Sequence, residues 1–590
     1  MEGAPARSRR RLGDVVPIVG WIRHYERGWL RGDLVAGVTV AALVVPKNLG
    51  YASIAQVPVQ NGLYAAAAGA VLYAVFGTSR QISMGPSSGL AAVAASAVIA
   101  AGLSREQDAA TFVAGITVAS GVVFLLMAVL RLGWIAQFLS RAVVTGFLFG
   151  AAVDVVIGEL PKLTGTDVAG TNSLRELWSW FDSLGDTNGA TLVVGAVSLA
   201  VVFGLAQVAP RIPGALVLVV GGLAASWLLD LGEHGVALVG DVPRGLPSVE
   251  LPDAGLLWDH AAIVTVSAVA LVMIGFSQTA GDARAFATKH KYQVDIDQES
   301  VAQAMANTGA GLVQGMPVST SLSASSLNDH AGARTGLASL TTGATVLLTL
   351  LVLAPLFADL PKPVLAALII EAVVKGMMNV GEMRRLARVQ RFDFWVAVAA
   401  IAGTLVFGVL AGVVIGIGLS LLWLVWVATH PQIPVLARQA GTQAYRELAE
   451  HPEDEQVRGV VVIRLDGGLF FATSDALEDR VRELVRSTPD LTGVVLDCAG
   501  IDYVDSQGSA KLGDVITFAE DSGVSFRLAR LKHAVRLTLA RDGIVDRLGE
   551  DRIHGNVHRA VQAQVHDTSG PEAPGSRPGG TASPHETGGT

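Results

Sequence analysis

The sequence predicts an α-helical polytopic membrane protein of about 14 segments, arranged as a 7+7 inverted repeat and followed by a small cytoplasmic α/β domain. Three observations predict it. Of 590 residues, 51% are hydrophobic and 16% charged, where a soluble chain carries about 25% charged residues. Two short polar stretches broken by Gly and Pro, Ser83-Met84-Gly85-Pro86-Ser87-Ser88 and Met316-Pro317-Val318-Ser319-Thr320-Ser321, interrupt the apolar sequence. After His430-Pro431 the apolar runs give way to alternating strand and helix patterns.

The first 32 residues are basic, with Arg7, Arg9, Arg10 and Arg11, and have no compact apolar core, so we expect a cytoplasmic N-terminal segment rather than a cleaved signal. A transmembrane domain follows over 33–430. Its apolar segments lie near 33–52, 63–79, 86–103, 111–130, 134–160, 191–209, 214–231, 258–288, 298–313, 319–332, 336–357, 362–379, 392–410 and 412–428. With the N-terminus inside, the loops holding Arg80, Arg131, Arg211, Arg284, Arg334 and Arg384 share the cytoplasmic side. The opposite loops carry only Arg105, Lys162, Arg175, Arg244 and Lys362, which is the positive-inside asymmetry. The protein is thus expected in the cell membrane with both termini cytoplasmic.

The third and tenth segments are the short, broken ones, and ten is three plus seven. A repeat of seven spans has odd parity, so its two copies run in opposite directions. Interrupted segments at corresponding places in two halves point to a transporter's substrate site. A half-helix that begins inside the membrane aims unpaired N–H groups and the positive end of its dipole into the cavity, where an anion binds. Ser87, Ser88, Ser321, Leu322 and Ser323 are the candidate substrate-binding residues at those starts. Helix capping and close packing are the plainer roles for the same serines.

A lysine within a span is costly unless it faces a cavity or a partner, so Lys47 is a candidate fixed positive charge beside the substrate. An internal ion pair or snorkelling to the interface would serve it equally. Tyr51, four residues on, shares its helix face. Of the other intramembrane acids, Asp154 is a candidate proton site, Glu159 is expected to be solvated near the outer end, and Glu371 and Lys375 are spaced to pair.

From 431 to 566 the pattern reads as strands at 460–465, 493–497 and 525–528, with helices at 476–486, 509–520 and 534–548. Strands alternating with helices imply a partly parallel sheet. Residues 567–590 show no periodicity and read as a disordered tail. The single cysteine, Cys498, excludes a disulfide framework and reads as packing. No metal-ligand spacing, nucleotide loop or nucleophile–base pair suggests an enzyme. No cofactor is expected beyond a sodium ion or proton as coupling ion, and no nucleic acid partner.

Asp33-Leu34-Val35-Ala36-Gly37 with Val45-Pro46-Lys47-Asn48-Leu49-Gly50-Tyr51-Ala52 resembles the first-helix signature of the sulfate permease (SulP) anion transporters. Asn61-Gly62-Leu63-Tyr64, Ser83-Met84-Gly85-Pro86, Ala283-Arg284-Ala285-Phe286-Ala287 and Ala331-Gly332-Ala333-Arg334-Thr335 extend the likeness. Leu465-Asp466-Gly467-Gly468-Leu469-Phe470 and Val504-Asp505-Ser506 are similar to a STAS domain. The resemblance implies core and gate domains, a cytoplasmic STAS domain and a homodimer. It also implies secondary active transport of an inorganic or small organic anion (sulfate, bicarbonate or dicarboxylate), coupled to protons or sodium, by an elevator-like alternating-access mechanism. An anion channel or exchanger regulated by the STAS domain is the alternative.

Measured against that family, three positions depart. Lys47 stands where many relatives have glutamine, and Ala324 where an arginine often follows. Gln278 occupies the place of a coupling carboxylate, six residues before the arginine of the Ala-Arg-Ala-Phe motif. Asp282 lies one turn later on the same face and is expected either to take over cation coupling or to pair with a cation such as Lys47. In the STAS domain, Asp505, Ser506 and Ser509 form the loop where relatives are regulated. Gln507 replaces a usual hydroxyl, which weakens a direct phosphoswitch and leaves an anionic ligand, a protein partner or scaffolding.

Overall fold

The computed structural model describes residues 16–132, 140–168, 173–209, 214–240, 242 and 245–569, and the chain divides into two compact units, Met1–Leu421 and Leu422–Thr590. The basic cluster at Arg7–Arg11, the loop positions Arg211 and Arg244 and the start of the fifth apolar segment lie outside the described residues.

In the first unit, helical segments follow one another in the order the apolar runs predict. They are α1 (Leu30–Ile54), α2 (Val59–Phe76), α3 (Ser88–Ala100), α4 (Glu106–Leu130), α5 (Arg141–Thr164), α6 (Gly189–Val208) and α7 (Gly214–Leu229). The second seven are α8 (Ala261–His290), α9 (Ile296–Leu312), α10 (Leu322–His330), α11 (Leu337–Leu348), α12 (Lys362–Gly376), α13 (Arg391–Phe407) and α14 (Val409–Thr429). A π turn at Thr349–Leu353 and a 3-10 turn at Ala354–Asp359 extend α11. Among the described residues, nine helices are long and apolar enough to cross a membrane.

Helices α3 and α10 are the exceptions that matter. They have 13 and 9 residues, so they reach only about 20 and 14 Å at 1.5 Å per residue, short of a hydrocarbon core about 30 Å thick. Each is preceded by an extended tripeptide, β1 (Met84–Pro86) before α3 and β2 (Val318–Thr320) before α10. Proline and extended serine explain the break. Pro86 and Pro317 supply no N–H to a helix, and Ser87 and Ser321 adopt β-region angles as N-caps.

Packing sorts the helices into two groups. Helices α1 to α4 pack with α8 to α11, with α4 against α9 and α1 and α2 against α11. Helices α5, α6, α7, α12 and α13 form the second group, and Gly416 of α14 lies against Val143 of α5. The two groups meet where α12 and α7 touch α1. Close approach within the first group depends on Gly62, where a Cβ would stand 2.1 Å from the Asn48 carbonyl oxygen.

The second unit is a six-stranded sheet in the order β4-β3-β5-β6-β7-β8. The strands are β3 (Val435–Arg438), β4 (Tyr445–Glu447), β5 (Val460–Arg464), β6 (Gly493–Asp497), β7 (Ser525–Ala529) and β8 (Ile553–His554). β5 to β8 run parallel, while β3 pairs antiparallel with both β4 and β5. The helices are α15 (Ser474–Ser487), α16 (Ser506–Asp521), α17 (His533–Arg541), α18 (Ile544–Leu548) and α19 (Val557–Ser569). The expected single helix over 534–548 is two, parted at Gly543, whose φ of 76° suits glycine. The expected tail from 567 is corrected at its start: α19 continues to Ser569, because Thr568 still bonds back to Gln564 and Val565. Residues 570–590 lie outside the described residues.

Candidate functional site

The two breaks in the apolar sequence meet. β1 and β2 pair antiparallel, with Met84 opposite Thr320, Gly85 opposite Ser319 and Pro86 opposite Val318. This register sets the start of α3 at one end of the ribbon and the start of α10 at the other, with the two helices leaving in opposite directions. Ser321 N donates to Ser83 O at 3.2 Å, Ser83 N donates to Ser325 Oγ at 2.9 Å, and Ser319 Oγ lies 3.5 Å from Ser87 Oγ. Two residues per strand edge would otherwise be left unpaired in a buried place, so side chains complete the ribbon. Asn307 of α9 receives Val318 N at 3.0 Å and donates to Val318 O at 3.0 Å, replacing a missing strand. Asn328 donates to Gln81 O at 3.0 Å, and Ser339 to Ile82 O at 3.3 Å. The spacing of the two breaks carried this meeting. The clamp by Asn307 had no local signature.

Beside the ribbon lies a small, partly open cavity lined by Lys47, Asn48, Tyr51, Ser83, Ser321 and Ser323 among others. Of the residues predicted for the anion, Lys47, Tyr51, Ser321 and Ser323 are therefore together. Ser321 caps α10 by accepting from Ala324 N at 3.4 Å and lies 3.2 Å from Ser323 Oγ. The first-turn N–H groups of Leu322 and Ser323 are those a helix leaves without intrahelical partners. Three predicted residues are not part of the lining. Ser87 caps α3 by accepting from Leu90 N at 3.5 Å, Ser88 is buried, and Leu322 is 56% exposed. Capping and packing account for Ser87 and Ser88. Asn48, Ser83 and Thr342 supply polar lining that sequence reading missed, although Asn48 adjoins Lys47.

Lys47 is in none of the ion pairs among the described residues. Its expected pairing with Asp282 does not occur, since Asp282 Oδ2 instead accepts from Thr320 Oγ1 at 2.8 Å. Glu371 and Lys375 do pair, at 2.7 Å, and both lie within electrostatic range of Lys47 across the meeting of α1 and α12. Gln278 Oε1 accepts from Ser319 Oγ at 2.6 Å. Gln278 and Asp282 thus both reach β2, one residue apart along it. Each accepts a hydrogen bond from a strand hydroxyl, Gln278 from Ser319 and Asp282 from Thr320.

Asp154 is elsewhere, on α5, and its partner is Ser173 at the start of the Ser173–Asp182 helix. Glu159 is corrected: it is 4% exposed rather than solvated, with Oε1 held by Lys162 at 2.6 Å. Its Oε2 has no hydrogen-bond partner among the described residues.

In the soluble unit, Asp505 caps α16, accepting from Gly508 N at 2.6 Å and from Phe471 N at 3.1 Å. A Cβ at 508 would stand 2.2 Å from the Leu469 carbonyl oxygen, so the turn requires Gly508. Ser506 is exposed, whereas Ser509 is buried with its hydroxyl unpartnered among the described residues, which removes it as an accessible modification site. Cys498 is buried, its thiol 3.6 Å from Leu496 O, and desolvation with the adjacent Asp497 pushes that thiol well above the usual range. Asp497 itself is paired with Arg530. Among the described residues no three His, Cys, Asp or Glu side chains converge as a metal site.

Comparison with known proteins places the sequence and the fold. Residues 30–400 match the sulfate permease family and residues 451–560 the STAS domain. A "probable sulfate transporter" of Mycobacterium tuberculosis is 34% identical over 93% of this chain and 97% of its own length. Chloroplast sulfate transporter 4.1 of Arabidopsis thaliana is 28% identical over 94% of this chain and 84% of its own. The fold is shared with the murine solute carrier 26 family member A9 anion transporter in its inward-facing state, at 21% identity, TM-score 0.85, covering 96% of this chain and 97% of that one. It is also shared with the transmembrane domain of a cyanobacterium bicarbonate transporter, at 20% identity and TM-score 0.59, covering 66% of this chain and 98% of that one.

Proposed function

The chain belongs to the sulfate permease family, a family of transporters rather than enzymes, and from that premise we propose that it carries an anion across the cell membrane by secondary active transport. One observation supports this most: two half-helices start from a shared antiparallel ribbon beside a cavity that also holds Lys47. An anion there is met by the N–H group of Ser323, the hydroxyls of Ser321 and Ser323, and the ammonium of Lys47. Helix dipoles and hydroxyls hold an oxyanion without burying a full set of compensating charges, so release stays possible.

The substrate class is an inorganic or small organic oxyanion: sulfate, bicarbonate or a dicarboxylate. The relatives named as sulfate and bicarbonate transporters support the first two. Lys47 favours the more negative members, because attraction scales with ligand charge.

Coupling to a proton or sodium ion would use Asp282, with Gln278, Ser319 and Thr320 as neutral oxygens. Asp282 binds Thr320 and Gln278 binds Ser319, so occupancy of this flank is felt by the strand that leads into α10. Asp154 would be a separate protonation site near the Ser173–Asp182 helix. Movement of the α1–α4/α8–α11 group against the other, at the α12 and α7 contacts with α1, would give elevator-like alternating access. Termini in the cytoplasm, a homodimer and a STAS domain that scaffolds assembly or binds a partner at Asp505 and Ser506 complete the reading.

Exchange without a coupling cation is the second reading. Replacement of a carboxylate by the untitratable Gln278 favours it. Purified protein in liposomes, given labelled sulfate, bicarbonate and succinate under imposed proton or sodium gradients, separates the two. Accumulation above equilibrium driven by either gradient supports coupled transport. Equilibration alone, with acceleration by anion inside, supports exchange, and no anion flux overturns both.

A further inference from the structure

The helix Val380–Val389 links α12 to α13. Its sequence is strongly two-sided. Leu386 is buried and, with Met383, packs against Ala142 of α5 and Ala397 of α13. Arg384, Arg385 and Arg388 lie on the exposed side, and Arg391 and Arg141 continue the positive surface at the starts of α13 and α5.

Little on the protein neutralises this charge. Arg385 pairs with Glu382 at 2.7 Å. Among the described residues Arg141, Arg384, Arg388 and Arg391 have no ion-pair partner. Asp393 is the other nearby carboxylate, in electrostatic range of Arg385. Apolar side chains frame the patch: Val389 is 69% exposed and Trp395, one turn into α13, 64% exposed. Basic side chains beside an exposed tryptophan at a span's end match the headgroup layer of a bilayer, with the ring at the interface and the charges at the phosphates.

We propose that this face, formed by the Val380–Val389 helix and the first turn of α5, docks the headgroups of anionic phospholipids. The arginines meet the phosphates, while Val389 and Trp395 sit beside the acyl chains. Helices α5, α12 and α13 all belong to the second group, which touches α1 but supplies none of the cavity-lining residues, so bound lipid anchors that group to the leaflet while the other moves. This rests on the reading that the face is cytoplasmic.

The test uses full-length protein in nanodiscs of phosphatidylcholine with one-fifth phosphatidylglycerol, with retained lipid counted by native mass spectrometry. Each arginine near the surface is worth about five-fold in headgroup affinity, so R384Q/R388Q should lower phosphatidylglycerol retention by roughly 25-fold and leave phosphatidylcholine unchanged. The control R458Q, on the soluble unit, should change neither. In the unmodified protein, retention should fall as salt rises. Equal phosphatidylglycerol retention by R384Q/R388Q and parent overturns the proposal, as does a salt-independent or unselective retention by the parent. Sidedness is read separately. Ala387→Cys in a Cys498→Ser background should react with an impermeant maleimide only in permeabilised cells. Reaction in intact cells would refute the cytoplasmic assignment without touching the lipid result.

Discussion

Thr320 Oγ1 donates to Asp282 Oδ2 at 2.8 Å, joining the strand that starts α10 to the C-terminal third of α8. Under the proposed coupling, this carboxylate, one residue along the strand from the Ser319–Gln278 bond, is the cation site. Asp282→Asn keeps the shape and can still bond Thr320, but removes the charge. We expect gradient-driven uptake to fall roughly 10- to 100-fold, the worth of a hydrogen bond to a charged group, with cation-independent exchange spared. Undiminished dependence on protons and sodium in the variant would refute coupling through Asp282.

Lys47 lines the cavity with no ion-pair partner among the described residues. Lys47→Gln should therefore raise KM for a dianion by about tenfold or more and for a monoanion by less, since the lost attraction scales with ligand charge. Uptake competition between sulfate and bicarbonate measures the ratio. An unchanged ratio would return Lys47 to a packing role.

Asn307 supplies both hydrogen bonds that Val318 would otherwise lack in a buried ribbon. Asn307→Leu should cost roughly 2–6 kcal/mol, a penalty of about 1–3 for each of the two orphaned groups, and should abolish transport by loosening β2. Thermal unfolding in detergent checks the first part. A variant that melts with the parent would show that water or a neighbour completes the ribbon.

His554 offers a pH test in the soluble unit. Partial burial first, and the Arg527 guanidinium second, hold its imidazole below the ordinary value, with Asp551 and Asp567 opposing. Arg527 Nη1 lies 3.3 Å from His554 Nε2, a contact that needs the neutral ring. The unfolded chain binds the proton more readily than the folded one. The stability from the neutral ring is thus full above about pH 6.5 and is lost as pH falls below that value. Amide exchange in α19, which Arg527 holds through Gln564 and Asp567, should quicken between about pH 7 and 5 beyond the intrinsic effect. His554→Gln should remove that excess. The same pH dependence in the variant would contradict the role of His554.

Much of the membrane unit was legible because hydrocarbon tolerates few patterns. Long apolar runs read as helices, and Gly85-Pro86 and Pro317, each followed closely by serines, mark the two broken ones, whereas Pro46 sits inside α1 without ending it. The meeting of β1 with β2 followed from repeat parity, not from local pattern. Asn307 and Gln303 were not singled out, and no role was read for Glu299 of the Asp297-Gln298-Glu299 motif, because a polar residue on an apolar helix says nothing of a partner hundreds of residues away. Glu299, for one, accepts from Tyr73 at 2.8 Å and Thr78 N at 2.8 Å. Ser88 looked like a ligand at a helix start, yet burial there reflects packing. In the soluble unit β4 and β8 have only three and two residues, too short for alternation to register.

Anomalous diffraction from crystals soaked in selenate or bromide tests the anion site most directly. The expected peak lies beside Lys47, within hydrogen-bond reach of the Ser323 amide at the start of α10. A bound anion found away from both half-helix starts, with that cavity empty, would contradict the proposed mechanism at its root.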